Sequence, residues 1–287
     1  RLVHHVPLLA EALPDRPAYS APIVLEAGGT RQLIVWTAAS ITGFAPATGK
    51  VYWQVPWKAA FDPAQMVASP VWQKDMLLFL GAWSRGSKML KFDSAKPRVS
   101  VLWETGAKPT TTISTPLFQD DHYFYSILGN GSLACLEAAT GKEVWTTREP
   151  TSGSFGNVHL TPNGDRVFLF NHTGHLILSR LTPNGYQELG RWLLVEPTAG
   201  YRAQGPITWA HPAYANKSVF ARNDRELVCA SLAADQAVAV VTPQQPVKAR
   251  VLTNFYKYGS SVVAFSPDGN TLALGIHVIG PPYGIVK

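Results

Sequence analysis

Cysteine is nearly absent: the 287 residues hold two, Cys135 in "LACLE" and Cys229 in "LVCAS". Their separation excludes C-x-x-C metal and haem motifs. They stand 94 residues apart in matching segments. Equivalent positions two repeats apart lie beyond the ~7 Å Cα separation a disulfide tolerates, so both are expected to be free, buried small hydrophobes. Charge is also scarce, at 15% of residues, and the net charge of +6 is spread without any block of Lys or Arg. No nucleic-acid footprint is therefore indicated. No apolar run approaches the ~20 residues of a bilayer-spanning helix. Long stretches of 3.6-residue periodicity are missing too, which argues against long amphipathic helices. There is no Gly-x-Ser-x-Gly nucleophile elbow. "EAGGT" (26–30) lacks the Lys-Ser/Thr of a phosphate loop and reads as a hairpin turn. The sequence begins at Arg1 without a signal-peptide pattern, and a processed or trimmed form is expected.

What is present is apolar, aromatic and turn-rich. The chain is 46% hydrophobic, with 9 Trp, 10 Tyr and 12 Phe, and its 22 Pro and 23 Gly are scattered between short apolar runs. That composition points to an all-β protein with many turns. Two octapeptides nearly coincide, "ATGKVYWQ" (47–54) and "ATGKEVWT" (139–146), with tryptophans at 53 and 145. A proline recurs at half that offset, in "YSAPIV", "VASPVW", "ISTPLF" and "WAHPAY". Pro22, Pro70 and Pro116 are 48 and 46 residues apart, and Pro212 comes two such units later. Within each unit an apolar run such as "MLLFLGAW" or "HYFYSIL" precedes a Gly/Asn/Asp turn and a second alternating run. Strand–turn–strand grammar at a period of 40–50 residues fits the blades of a β-propeller, four short antiparallel strands that bury their faces on neighbouring blades.

The repeat string Thr48-Gly49-Lys50 with Trp53, and again Thr140-Gly141-Lys142 with Trp145, resembles the repeat of pyrroloquinoline-quinone-type (PQQ-like) β-propellers over about residues 19–240. A looser copy keeps Asp93 and Trp103, and a still looser one ends at Trp192. Ala45 and Glu137 stand where the family has Asp. Gly supplies positive φ at a tight turn, and the Trp after it can bury a large apolar area against the next blade. "VVAFSPDGNTLALG" (262–275) is similar to WD40-like strand–turn–strand units. The expected organisation is one propeller domain over 1–287, of about 6–8 blades. Five are clear, at 19–58, 66–106, 112–150, 155–197 and 205–241. A sixth, 247–287, is either the opening of a further blade or a ring-closing strand.

The PQQ-like group includes quinoprotein dehydrogenases and the non-enzymatic propeller of the outer-membrane assembly machinery. Dehydrogenases of the group often carry a vicinal Cys pair, a calcium site and an Asp base; here no vicinal pair exists and no acidic cluster matches. The reading is therefore a non-catalytic scaffold or accessory subunit without cofactor, binding other protein subunits, with no nucleic acid and no membrane span. Peripheral association with a membrane complex and a periplasmic or extracytoplasmic location are implied by the resemblance. One alternative is a dehydrogenase using PQQ with calcium. Another is a carbohydrate-binding or hydrolytic propeller, with Trp36, Trp83 or Trp209 stacking on sugar rings. Of the other polar groupings, His4-His5 reads as a mobile terminus; Asp120-Asp121-His122 reads as a turn rather than a catalytic group, His172 with His175 as an exposed hairpin loop rather than a metal site, and Arg222, Asp224, Arg225 and Glu226 as a solvated turn.

Overall fold

Every proline that opens a repeat stands immediately before a first strand. In the computed structural model Pro22 precedes β1 (Ile23–Ala27), Pro70 precedes β5 (Val71–Gln73), Pro116 precedes β9 (Leu117–Phe118) and Pro212 precedes β19 (Ala213–Ala215). A residue without an N–H is tolerated there because the ladder has not yet begun. The structure describes residues 19–57, 66–82, 86–106, 108–151, 156–200 and 205–233, together with the strands at 249–254, 259–265 and 272–277.

The sheets are simple meanders. The first is β1 with β2 (Thr30–Trp36), β3 (Ser40–Phe44) and β4 (Val51–Pro56), in that order. The second is β5 with β6 (Met76–Leu80), β7 (Ser87–Phe92) and β8 (Val99–Thr105). The third is β9 with β10 (Tyr123–Ile127), β11 (Leu133–Glu137) and β12 (Glu143–Thr147). A fourth runs through β13 (Val158–Asn163), β14 (Arg166–Asn171), β15 (His175–Thr182) and β16 (Gly185–Leu193). Then come the short pair β17 (Ala199–Gly200) and β18 (Pro206–Ile207). The fifth four-stranded sheet joins β19 to β20 (Ser218–Arg222), β21 (Glu226–Ser231) and β22 (Ala249–Asn254). The last is a two-stranded sheet of β23 (Gly259–Phe265) and β24 (Leu272–His277). Among the described residues there is no helix, and so none long and apolar enough to cross a membrane. The fold is all-β, a β-propeller of four-stranded antiparallel blades.

The fifth blade departs from the expected interval 205–241, because its fourth strand is Ala249–Asn254. "AVAVV" (237–241) and "ARVLTN" (249–254) are equally short and strand-prone, so local pattern does not choose between them. The tryptophan that marks the fourth strand of earlier blades is replaced by Thr253, which removed the only local marker.

By contacts the chain divides into two units, Arg1–Leu160 with Leu181–Tyr186, and Thr161–Arg180 with Gln187–Lys287. In the first unit the core lies between sheets. Leu25, Ile34, Ile41 and Trp53 from the first blade meet Leu77, Phe79, Leu90 and Phe92 from the second. The other face of the second blade, Met76, Leu78, Leu80 and Met89, packs on Phe124, Ala134 and Leu136 of the third. All five residues of β6 are thus buried, although successive side chains point to opposite faces. Each such side chain contributes about 1.5–3 kcal/mol of burial. In the second unit Phe170 and Leu176 pack with Val219, Ala221, Val228 and Ala230.

Candidate interaction surface

The repeat motif builds one local device several times. In the first blade Ala45 N–H donates to Lys50 O and Gly49 N–H to Ala45 O, both at 2.8 Å. In the third, Glu137 N–H donates to Lys142 O at 2.9 Å and Gly141 N–H to Glu137 O at 2.8 Å. Gly49 and Gly141 have φ of 72° and 70°, and the Thr48 and Thr140 hydroxyls accept the N–H groups of Lys50 and Lys142. In the second blade Asp93 N–H donates to Arg98 O at 3.0 Å, while the Asp93 carboxylate accepts from Ala95 N–H, Lys96 N–H and Arg98. The family acid is therefore a side-chain cap on this turn. The Glu137 carboxylate instead accepts the Thr140 hydroxyl, and in the Ala45 turn, which has no acid, the backbone pairs and the Thr48 hydroxyl remain.

The hydrogen bond from Ala95 N–H, then the Arg98 side chain, hold the Asp93 carboxyl down at about 2. A carboxyl depressed in the folded state stabilises it above its unfolded value near 4, and that contribution fades as pH falls from about 4 to about 2. A carbon-detected NMR titration is expected to place the Asp93 midpoint near 2, and a midpoint near 4 would contradict the capped turn.

After the turn, a β-bulge recurs at one place. Gly43 pairs with Trp53 but Phe44 with Val51; Met89 with Trp103 but Leu90 with Val101; Cys135 with Trp145 but Leu136 with Glu143. The extra residues are Tyr52, Leu102 and Val144, each directly before a tryptophan. Inserting one residue reverses the facing of the rest of the strand, so the indole turns inward; the bulged Leu102 and Val144 are exposed, whereas Tyr52 is half-buried against the core of the first two blades. Trp53 Nε1–H donates to Gln32 Oε1 at 2.7 Å, and its ring meets Phe92 of the second blade edge-on with centroids 6.1 Å apart. Trp103 donates to Ala138 O and Trp145 to Thr182 O, both at 2.8 Å. Trp192 is half-buried beside Gly190, where a Cβ would lie 2.6 Å from its ring. Lys50 and Lys142 are exposed.

The bulges leave apolar side chains outside. Val51 is 47% exposed, Val101 45%, Leu102 40% and Val144 43%, all on fourth strands with no further strand paired to them among the described residues. A cleft of about 270 Å³ opens by the same unit, lined by Lys108, Pro109, Thr110, Leu128, Asn130 and Glu143 among others. Thr111 stitches this segment in place, its N–H donating to Gly81 O and its hydroxyl contacting Ser114 O and Ile127 O.

The polar groupings separate. Asp120 caps a turn through His122 N–H and Tyr123 N–H, whereas Asp121 reaches back to Gln73 and Lys74 of the second blade. His172 is buried, not part of an exposed loop, and its carbonyl accepts Thr208 N–H. The His175 ring contacts the Thr173 hydroxyl, and burial, then the nearby Arg191, pushes its pKa down. Trp36 is 3% exposed and packs on Trp57 and Phe79, so it is unavailable to a sugar. Trp209 is half-buried; Trp83 and His4-His5 lie outside the described residues. The exposed indole among the described residues is Trp72, which the sequence did not single out. Lys88 was also missed: it is 3% exposed, with its ammonium on Pro56 O at 2.8 Å and Glu104 Oε1 at 3.1 Å, over the Trp57 ring. Its signal was a lysine inside the apolar alternation "SKMLKF".

Both cysteines are free, Cys135 buried and Cys229 half-buried. Their 94-residue spacing suggested equivalence, but the bulge register makes Leu227, opposite Thr253, the counterpart of Cys135. Burial raises the Cys135 thiol to about 11. At pH 8 it is almost wholly protonated, so a thiol reagent added to native protein is expected to titrate Cys229 first and Cys135 only on unfolding. Equal rates for both would contradict this packing. Among the described residues no group of three or more His, Cys, Asp or Glu gathers to hold a metal.

In comparisons with known proteins, the family model described as outer membrane protein assembly factor BamB matches residues 37–258. Among curated proteins no significant match to the sequence was found. Among solved structures, the chain is similar to the C-terminal WD40 domain of Sif2, at 12% identity and a TM-score of 0.56, covering 88% of this chain and 63% of that one. It is similar to the computationally designed Ika8 protein at 13% identity and a TM-score of 0.50, covering 92% and 70%. For BamB from Moraxella catarrhalis the values are 13% identity, a TM-score of 0.49, and 87% and 81% coverage. With the family match spanning residues 37–258, well over half of the chain, this chain belongs to the outer membrane protein assembly factor BamB family of PQQ-like β-propellers.

Proposed function

We propose that the protein is a non-catalytic propeller that binds other protein subunits of an assembly at the cell envelope, outside the cytoplasm and peripheral to a membrane complex. The observation that carries this reading is the family match over residues 37–258, to a family described as an assembly factor. The apolar side chains turned outward on the fourth strands support it, since exposed apolar groups and unpaired strand edges are what a protein partner covers. No cofactor enters the proposal.

The test is capture. The tagged protein, cross-linked in its own cells and purified under denaturing conditions, is expected to carry a small set of envelope proteins. A Val101→Glu/Leu102→Glu variant is expected to carry them at least several-fold less. Recovery of no partner by the unaltered protein would overturn the proposal. So would stoichiometric binding of added pyrroloquinoline quinone with calcium accompanied by dye-linked dehydrogenase turnover.

A further inference from the structure

In the second unit one guanidinium is taken out of water with few of its donors met. Arg222 ends β20, and 11% of its side chain is exposed. Its Nε is buried and has no hydrogen-bond partner among the described residues. Nη1 donates to Asn223 O at a long 3.4 Å, and the Asp224 carboxylate stands 3.8 Å away, beyond hydrogen-bonding distance and 46% exposed. An arginine offers five N–H donors in a planar fork shaped for two oxygens of one carboxylate. Burial works against its charge, and Asp224 only partly offsets that.

The setting is rigid. The Asn223 side chain accepts from Arg225 N–H and Glu226 N–H and donates to Glu196 O. Asp224 N–H donates to the Thr198 hydroxyl, and the Thr208 hydroxyl to Arg222 O. Three segments of chain are thus tied around this arginine, which nothing in the repeat motif requires. The charged groups of its own turn are Asp224, Arg225 and Glu226; Glu226 is already engaged by the Asn223 amide.

We propose that Arg222 anchors a carboxylate presented by the protein partner, the side chain of an acidic segment that meets the guanidinium at its terminal nitrogens, from which Asp224 stands too far to hydrogen-bond. This rests on the protein-binding reading above. An acidic partner also complements the net charge of +6, which would steer its approach and make binding fall with salt.

The probe is an acetylated, amidated tetraglutamate peptide, with tetraglutamine as its uncharged counterpart, added to the full chain labelled with ¹⁵N-arginine. Tetraglutamate is expected to shift the Arg222 Nε–Hε resonance in a saturable, salt-sensitive way, and tetraglutamine to leave it unmoved. Arg222→Gln is expected to weaken tetraglutamate binding at least about tenfold, with Arg222→Lys intermediate because it keeps the charge and loses the fork. The titration of unaltered protein needs no variant to fold. No shift with tetraglutamate, or unchanged affinity in Arg222→Gln, would overturn the proposal and leave the guanidinium satisfied by water. A shift by inorganic phosphate as strong as the peptide's would overturn the carboxylate assignment. If Arg222→Gln still captures the partners of the unaltered protein in cells, the anchor fails while the scaffold reading stands. If the unaltered protein captures none, the scaffold reading fails and the peptide titration still judges the anchor.

Discussion

Trp53→Ala is expected to lower stability by about 3–5 kcal/mol, the range for deleting a buried aromatic side chain. Trp53 is 8% exposed and sits within the core shared by the first two blades. Its loss removes the ring from Phe92 and leaves a void against Gly43, where a Cβ would come 2.4 Å from the indole. It also strips the donor from Gln32 Oε1, and Gln32 is fully buried, so a polar atom is left unpaired away from water. Trp53→Phe separates the two effects: it restores most of the apolar area but not the donor, and is expected to cost about 1–3 kcal/mol. Lys50→Ala, three residues earlier and exposed, is expected to stay within about 0.5 kcal/mol. Urea unfolding monitored by circular dichroism measures all three, independent of the changed fluorescence. A Trp53→Ala cost no larger than that of Lys50→Ala would contradict the inter-blade role.

The second large effect concerns adjacent glycines. Gly28 and Gly29 form the turn between β1 and β2, with φ of 58° and 68°, so alanine at either meets the left-handed penalty of about 1–2 kcal/mol. Their surroundings differ. A Cβ on Gly28 would lie 2.1 Å from Lys96 O and 2.6 Å from Lys96 C, backbone atoms of the second blade's β7–β8 turn. On Gly29 the nearest atom is Ala95 O at 3.8 Å. Gly28→Ala must push one blade's turn off the next, at a further cost of about 1–3 kcal/mol. Gly29→Ala is expected to show the dihedral penalty alone. Matched urea midpoints for the two variants would mean that the turns do not need this approach.

The fate of "EAGGT" shows where local reading stops. The sequence identified a hairpin turn there, since paired glycines without the Lys-Ser/Thr of a phosphate loop suit one. That Gly28 must also admit a neighbouring blade's backbone depends on Lys96, 68 residues away, and no local pattern encodes it. Lys88 is similar: "SKMLKF" shows a lysine among apolar residues, but its partners Pro56 and Glu104 come from two different blades. Arg222 was visible only as one charge in a turn of alternating charges. Its burial, and the long distance to Asp224, are products of packing.

The sequence by itself determined the repeat, its four-strand grammar, the prolines before first strands and the tryptophans after each Thr-Gly-Lys turn. These are local: a turn needs Gly at positive φ, a strand needs alternation, and both recur with the period of the unit. The tertiary structure decided which strand completes the fifth blade, that Leu227 rather than Cys229 matches Cys135, and which apolar groups stay outside. Those outcomes turn on hydrogen-bond register and the one-residue bulge. A shift of one residue exchanges the two faces of a strand while leaving its composition and local propensity unchanged.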